Sequence, residues 1–485
     1  MLHTSLSVPQ FSLKSVYPVP ARELFDWHMR IGALERLTPP WSAIKVTWGD
    51  EQVREGSRRE LSVPAGPFKM KWLAKHHSVI DGRQFIDEQE RGPFRKWVHL
   101  HLCTDLPGGR SELEDRIDYE FPLGKIGQHF GQSQVNWMVN TAFPWRHERT
   151  WIDLSRHAEF AERPRLKVAI SGASGMIGSG LRHFLTTGGH EVVLIERRRT
   201  TEQSVLWNPL KREIESEKLE GVDAVVHLAG RNIAAGRWTE SAKREILDSR
   251  VQGTRLLAET IAALKRPPQV FVSASAVGIY PDSVEPQNET AKPGTSFLAA
   301  VVKAWEGAAE PARNAGIRVV HPRIGTVVSG WGGVLGRLLP IFKLGLGGRL
   351  GSGRQMMSWI HLDDLVAVLY RMLYDSTLQG PVNTTSGKAV SNQEFTKTLG
   401  HVLNRPTFAF VPEIAVNTAF GEMGRELLLA STHAVPDVLN RAGFQPWFGD
   451  LESALRFETG MPFRHMPPFH PAPLPQSGRN SYLIS

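Results

Sequence analysis

Lys167-Val-Ala-Ile-Ser-Gly-Ala-Ser-Gly-Met-Ile-Gly-Ser-Gly180 joins a short apolar run to three spaced glycines and then to a helical pattern. Val168, Ala169 and Ile170 read as a buried parallel strand. Met176, Ile177, Leu181, Phe184 and Leu185 recur at helical spacing until Gly188 and Gly189 stop the helix. Gly172 permits a tight turn, Gly175 lets backbone approach a pyrophosphate, and Gly178 lets the helix pack closely on its strand. Ser174, Met176 and Ile177 then stand at the helix N-terminus, where free amide groups suit phosphate. The stretch predicts a dinucleotide cradle.

A second strand-like run, Glu191-Val-Val-Leu-Ile-Glu196, ends 18 residues after Gly178, about where an adenosine ribose is read. Glu196 suits the 2′-hydroxyl of NAD, whereas Arg197 and Arg198 suit the 2′-phosphate of NADP. Two adjacent guanidinium groups should outweigh one carboxylate that can rotate into water. NADP is therefore the expected cofactor, with NAD as the alternative.

Further apolar strands follow at Ala224–Gly230, Val270–Ala276 and Ile317–His321, separated by helical segments. That alternation predicts a doubly wound parallel sheet. Leu228, Ala229 and Gly230 end one strand with small residues that leave room for adenine and ribose. Ser273 and Ser275 end the next, where a hydroxyl can hydrogen-bond a substrate oxygen. Arg323, in Pro322-Arg-Ile-Gly325, can meet either a phosphate or a packed carboxylate. The glycine-rich run Gly345–Gln355 brings Arg349 and Arg354 as further cations for an anionic group, while Asp363 and Asp364 are expected to cap the helix that begins near Leu365.

With 485 residues the chain is too long for one core. A hydrophobic fraction of 41% and a charged fraction of 22% are those of an ordinary globular protein. The formal charge of +8 is spread along the chain with acidic neighbours, which argues against a nucleic-acid stripe. No basic start with an apolar run opens the sequence, and no stretch approaches the roughly 20 apolar residues of a membrane span. The single cysteine, Cys103, excludes an internal disulfide framework. A cytoplasmic location is expected.

The first 150 or so residues differ in texture. Phe11–Tyr17 alternates like a strand, Pro20 can open a helix through Phe25, and strand-like runs broken by Gly and Pro follow. Leu113, Ile117, Tyr119 and Phe121 share one strand face, which also carries Asp115. An amphipathic segment from Ile126 to about Ala142 is expected to close the sheet, with Pro144 interrupting it. These features, with Phe85-Ile-Asp-Glu-Gln89, Gly92-Pro-Phe94 and Trp97-Val-His-Leu-His101, resemble the helix-grip fold of the START/polyketide-cyclase-like (SRPBCC) superfamily. The resemblance implies an apolar small-molecule cavity that Trp97, His99 and His101 could line. His99 and His101 could hold a metal only with a third ligand, and none is evident, so no metal site is expected.

Residues 166–460 resemble the atypical extended short-chain dehydrogenase/reductase family called nucleoside-diphosphate-sugar epimerase-like. The resemblance rests on Gly172–Gly178, Leu228-Ala-Gly230, Gly236-Arg-Trp-Thr239, Ser273–Gly278, Pro322-Arg-Ile-Gly325, Gly351–Gln355 and Ser358–Asp364. The fold class expected is an α+β helix-grip domain followed by an α/β Rossmann-like doubly wound parallel sheet with a small C-terminal substrate-side module. The boundaries expected are 1–156 for the ligand-binding domain, 157–165 for a linker, 166–375 for the NAD(P)-binding domain, 376–462 for the module and 463–485 for a Pro-rich tail.

The resemblance implies an NAD(P)-dependent oxidoreductase or epimerase-like enzyme of unknown substrate. Yet the family's Tyr-x-x-x-Lys pair, which moves a proton during hydride transfer, is missing: Leu298 and Val302 stand in its place, and Arg250 stands where extended members often carry Asn. Either Tyr280 supplies the proton with Ser275 polarising the substrate oxygen, or the protein is a non-catalytic dinucleotide-dependent sensor or binder of lipid- or polyketide-like molecules. The partners expected are a dinucleotide, a small-molecule substrate and an apolar ligand of the first domain. Neither nucleic acid nor a membrane span is expected, and the resemblance allows a homodimer.

Overall fold

The computed structural model describes residues 10–65 and 68–463, which leaves most of the expected tail outside the described residues. The chain opens with β1 (Gln10–Tyr17), α1 (Ala21–Met29) and α2 (Ala33–Arg36). Six strands follow: β2 (Lys45–Gly49), β3 (Arg58–Ala65), β4 (Phe68–Ile80), β5 (Gln84–Arg91), β6 (Lys96–Leu106) and β7 (Arg110–Glu120). Together with β1 they form one seven-stranded antiparallel sheet in the order β1-β7-β6-β5-β4-β3-β2. Strict alternation on β6 and β7 buries Trp97, His99, His101 and Cys103 together with Leu113, Asp115, Ile117 and Tyr119. Burial pushes the Cys103 thiol up to about 12.

A long helix, α3 (Lys125–Ala158), closes the sheet and runs on through Pro144. An interior proline costs a helix roughly 3 kcal/mol. Here Trp145, Ile152 and Leu154 beyond it are buried, and fully burying one large apolar side chain returns about 1.5–3 kcal/mol. The expected interruption at Pro144 does not occur for that reason.

This second half of α3 is buried nearly all round because it is wedged against the rest of the chain. Trp145 stacks on Phe457 and Trp151 meets Trp447. Among these rings lies an ionic knot. Arg36 of α2 donates to Asp153 of α3 and, at 3.0 Å, to Asp363, which Arg149 of α3 also contacts. Burial alone would raise the Asp363 carboxyl, but Arg149 and Arg36 overcome it and hold it well below its ordinary range.

The expected capping by Asp363 and Asp364 is also revised. The helix starts at Leu362, its cap is His361, whose ring nitrogen accepts from the Asp363 amide, and Asp364 accepts from the amides of Trp447 and Phe448. Both carboxylates tie segments together.

The remaining sheet is built from β8 (Lys167–Ser171), α4 (Met176–Thr187), β9 (Glu191–Glu196), β10 (Val205–Asn208), β11 (Glu213–Ile214), β12 (Ala224–His227), α5 (Glu240–Ala262), β13 (Val270–Ser273), β14 (Ser275–Ala276), α6 (Phe297–Gly307), α7 (Glu310–Asn314) and β15 (Arg318–Ile324). Its order is β11-β10-β9-β8-β12-β13-β15-β14, and the strand Gly380–Thr384 pairs with β15. β11 is antiparallel to β10, and the other pairings are parallel. A strand from beyond residue 375 thus completes this sheet. The chain goes from β8 outward to β9 and β10, then returns to β12 on the other side of β8. The β8/β12 junction is therefore a topological switch point, where open α/β sheets present a crevice.

Candidate functional site

At that switch point Gly172 has φ +76, a left-handed conformation natural to glycine, and a Cβ there would lie 2.8 Å from the amide nitrogen of Ala229. A Cβ on Gly178 would fall 2.2 Å from the Gly172 carbonyl oxygen, so only glycine lets α4 start this close to the turn. Gly175 precedes the helix, Ser174 and Gly175 are exposed, and no acidic side chain stands in the first helical turn. Leu228, Ala229 and Gly230 flank the turn from the end of β12. The cradle thus has the shape and polarity for a pyrophosphate.

At the end of β9 the two rival cofactor readers are disposed differently. Glu196 is turned back on its own loop, where it accepts from the Thr200 amide and, at 2.7 Å, from the Thr200 hydroxyl. Arg199 is engaged by Glu215 at 2.6 Å. Arg197 and Arg198 are exposed and make no ion pair or hydrogen bond among the described residues.

Across the sheet, register lines up a second group. Ser275 lies beside Arg323, which in turn lies beside Asn383. Ser275 Oγ donates to Glu306 Oε1 at 2.6 Å, and Arg323 clasps the same carboxylate through Nε and Nη2 at 2.9 and 3.0 Å. Burial pushes the Glu306 carboxyl up, but the Arg323 hydrogen bonds outweigh it and hold the group below its ordinary value. Of the two partners expected for Arg323, this is the packed carboxylate. Ser273 is fully buried in the sheet.

Tyr280 is neither a surface aromatic nor an open acid. It is 4% exposed, donates to Asn383 Oδ1 at 2.7 Å and accepts from Arg323 Nη1 at 3.0 Å. Burial raises its pKa, and its only proton is committed to Asn383. Leu298 and Val302 are buried in apolar clusters. Arg250 donates to the carbonyls of Arg231 and Ile246 and lies over the Trp305 ring, and burial lowers it to about 10.

The first domain holds a cavity of about 580 Å³ between sheet and helices, walled by apolar groups such as Phe94, Trp97, Phe121 and Phe143. Trp97, His99 and His101 line it, and so does Asp87. Asp87 Oδ2 lies 3.0 Å from His99 Nδ1 and 3.1 Å from His101 Nε2. Behind the rings, Asp115 Oδ1 lies 3.4 Å from His99 Nε2 and 2.8 Å from His101 Nδ1. Burial opposes charge on His99, yet Asp87 and Asp115 lift it to about 9.

Sequence reasoning placed the histidines but missed Asp87. The signal was there: a hairpin turning near Gly92-Pro93 pairs Phe85 with His101 and Asp87 with His99. Sequence reasoning gave Glu306 no role, because its partners come from strands 17 or more residues away.

Three families match successive parts of the chain. The NAD dependent epimerase/dehydratase family matches residues 168–383, a domain family of unknown function matches 411–458, and the polyketide cyclase/dehydrase and lipid transport family matches 17–142. An epimerase family protein of Mycobacterium bovis is 44% identical over 299 residues, which are 61% of this chain and 98% of that relative. The chain belongs to the epimerase family.

Among solved structures, this family member is similar along most of its length to a nucleoside-diphosphate sugar epimerase from Corynebacterium glutamicum (TM-score 0.75, 31% identity, 93% of this chain and 90% of that one). A human epimerase family protein solved with NADPH covers the second part alone (TM-score 0.57, 33% identity, 61% of this chain and 99% of that one). This member of the family therefore joins an epimerase-type Rossmann domain to a polyketide cyclase-like domain. No described helix is long and apolar enough to cross a membrane.

Proposed function

We propose that this chain is an NADPH-dependent oxidoreductase whose Rossmann domain acts on a carbonyl or hydroxyl substrate, while the first domain holds an apolar molecule. The observation that carries the cofactor choice is the contrast at the end of β9: Glu196 is withdrawn onto Thr200, and Arg197 and Arg198 stand free beside it. A 2′-phosphate would meet two unpaired guanidinium groups there. The human relative solved with NADPH supports the same choice. A bound nicotinamide would supply or accept hydride. Gly172, Gly175 and Gly178 bring backbone close to its pyrophosphate, and Leu228, Ala229 and Gly230 leave room for the adenosine.

Ser275 is the side chain we assign to the substrate oxygen. Glu306, fixed by Arg323, accepts the hydrogen bond of the buried Ser275 hydroxyl, which leaves the lone pairs of Ser275 Oγ to accept from a substrate hydroxyl. Tyr280 acts as a positioning residue that holds Arg323 and Asn383. The commitment of Tyr280 favours a second reading as well, in which dinucleotide binding is sensed and little turnover occurs.

Calorimetric titration of the full chain with NADPH and NADH tests the cofactor reading. Tighter NADPH binding should fall about 10- to 100-fold in Arg197→Ala/Arg198→Ala, about 1.4 kcal/mol for each factor of ten. Equal binding of both cofactors, or no effect of the double variant, would overturn it. NADPH oxidation over a carbonyl panel then separates enzyme from sensor.

A further inference from the structure

We propose that Asp87, His99 and His101 form a divalent transition-metal site, of the Zn²⁺ or Co²⁺ class, on the floor of the first domain's cavity. Asp87, His99 and His101 each offer one donor atom within 4.8 Å of the other two, and Asp87 Oδ2 lies close to both His99 Nδ1 and His101 Nε2. The two measured edges, 3.0 and 3.1 Å, approach the roughly 3.3 Å edge of a tetrahedron built on bonds of about 2.0–2.1 Å. Two imidazoles and one carboxylate, without a thiolate, are a borderline donor set that suits such ions better than Mg²⁺ or Ca²⁺, which favour all-oxygen shells.

A chance meeting of side chains would leave the rear of the rings unorganised. Here both rear nitrogens lie within ion-pairing distance of one carboxylate oxygen, Asp115 Oδ1, at 3.4 and 2.8 Å, without hydrogen-bond geometry to it. The other oxygen, Asp115 Oδ2, lies 3.0 Å from His147 Nε2, and His147 Nδ1 lies 2.8 Å from Ser15 Oγ. A buried carboxylate behind a ligating imidazole fixes its orientation and raises its basicity. One aspartate serves both rings, and it is anchored from α3 and β1.

The donors sit on rigid elements. Asp87 is opposite His99 across β5 and β6, and His101 is opposite Asp115 across β6 and β7, so sheet register sets their spacing. All three donors also line the cavity. Three protein ligands beside an open volume are the pattern of a site that takes its fourth ligand from outside. The matching guest is an apolar molecule carrying one oxygen donor, such as a carbonyl, enolate or carboxylate, with its hydrocarbon against Trp97 and Phe143. This inference stands independently of the dinucleotide reading.

A second cluster, His361, Asp363 and Glu458, has similar spacing but is fully buried, and its Asp363 is already bound by Arg36 and Arg149. It offers no vacant side.

The test uses the full chain stripped with a chelator and titrated with Co²⁺ and with Zn²⁺ alone. One ion per chain is expected, with the intense visible bands of tetrahedral Co²⁺. Asp87→Asn, His99→Gln and His101→Gln should each weaken binding by at least tenfold, and Asp115→Asn by about 10- to 100-fold through loss of ring orientation. X-ray absorption of the Zn²⁺-loaded wild type needs no variant, and two imidazole nitrogens plus oxygen donors are expected. No stoichiometric uptake by the folded wild type, a shell without two imidazoles, or affinity unchanged in folded variants would overturn the proposal.

Discussion

Asp363 is bound by Arg36 at 3.0 Å, a contact spanning 327 residues of sequence that ties the first domain to the Rossmann domain. Both side chains are almost wholly buried, and Arg149 shares the same carboxylate. Removing one member of such a cluster strands the opposite charge in a dry interior, which costs about 3–5 kcal/mol. Asp363→Asn should therefore lower the free energy of unfolding by about that amount in urea denaturation. A loss below about 1 kcal/mol would mean that water reaches the guanidinium groups and that the knot contributes little.

The same knot shows where sequence reading stops. Gly172, Gly175 and Gly178 were legible because a local constraint, strand to turn to helix without spare residues, leaves few alternatives. The alternation of Trp97, His99, His101 and Cys103 was legible because a half-buried strand has period two. Pro144 misled because its local cost is visible and the long-range burial of Trp145, Ile152 and Leu154 is not. Tyr280, Arg323 and Asn383 meet only once three strands are in register, and Arg36 meets Asp363 only once two domains dock. In each case the missing term was a contact between residues far apart in the chain.

The Ser275 and Tyr280 assignments predict different signatures. On any alcohol substrate oxidised with NADP, Ser275→Ala should lower kcat/KM by about tenfold, the loss of one acceptor at the substrate hydroxyl, and should cost about 1–3 kcal/mol of stability because Glu306 loses a buried donor. Tyr280→Phe leaves Asn383 and Arg323 short of a buried partner, so about 1–3 kcal/mol of stability should be lost. The shape of its pH–rate profile should match wild type, since the phenol delivers no proton. A folded Tyr280→Phe protein with no turnover, or with a lost ionisation, would restore the tyrosine as the acid.

His227 gives the pH dependence a definite sign. It is fully buried at the end of β12, with Nδ1 2.5 Å from Ser171 Oγ, and burial first, then Arg250, lowers its pKa to about 3. In the unfolded chain an unperturbed histidine titrates near 6.5, so between about pH 6.5 and 3 the unfolded state binds a proton that the native state refuses. Stability from this residue is complete above about pH 6.5 and is lost progressively as the pH falls. At pH 5 the gap from 6.5 is about 1.5 units, or about 2 kcal/mol. His157, which is buried, and His183, which is half-buried, have lowered pKa values too, so the wild type should lose more than that single share. The difference between unfolding free energies at pH 7.5 and pH 5 should be about 2 kcal/mol smaller in His227→Asn than in wild type. Equal pH slopes for the two proteins would mean that His227 is protonated in the native state and that the floor beneath the dinucleotide cradle admits water.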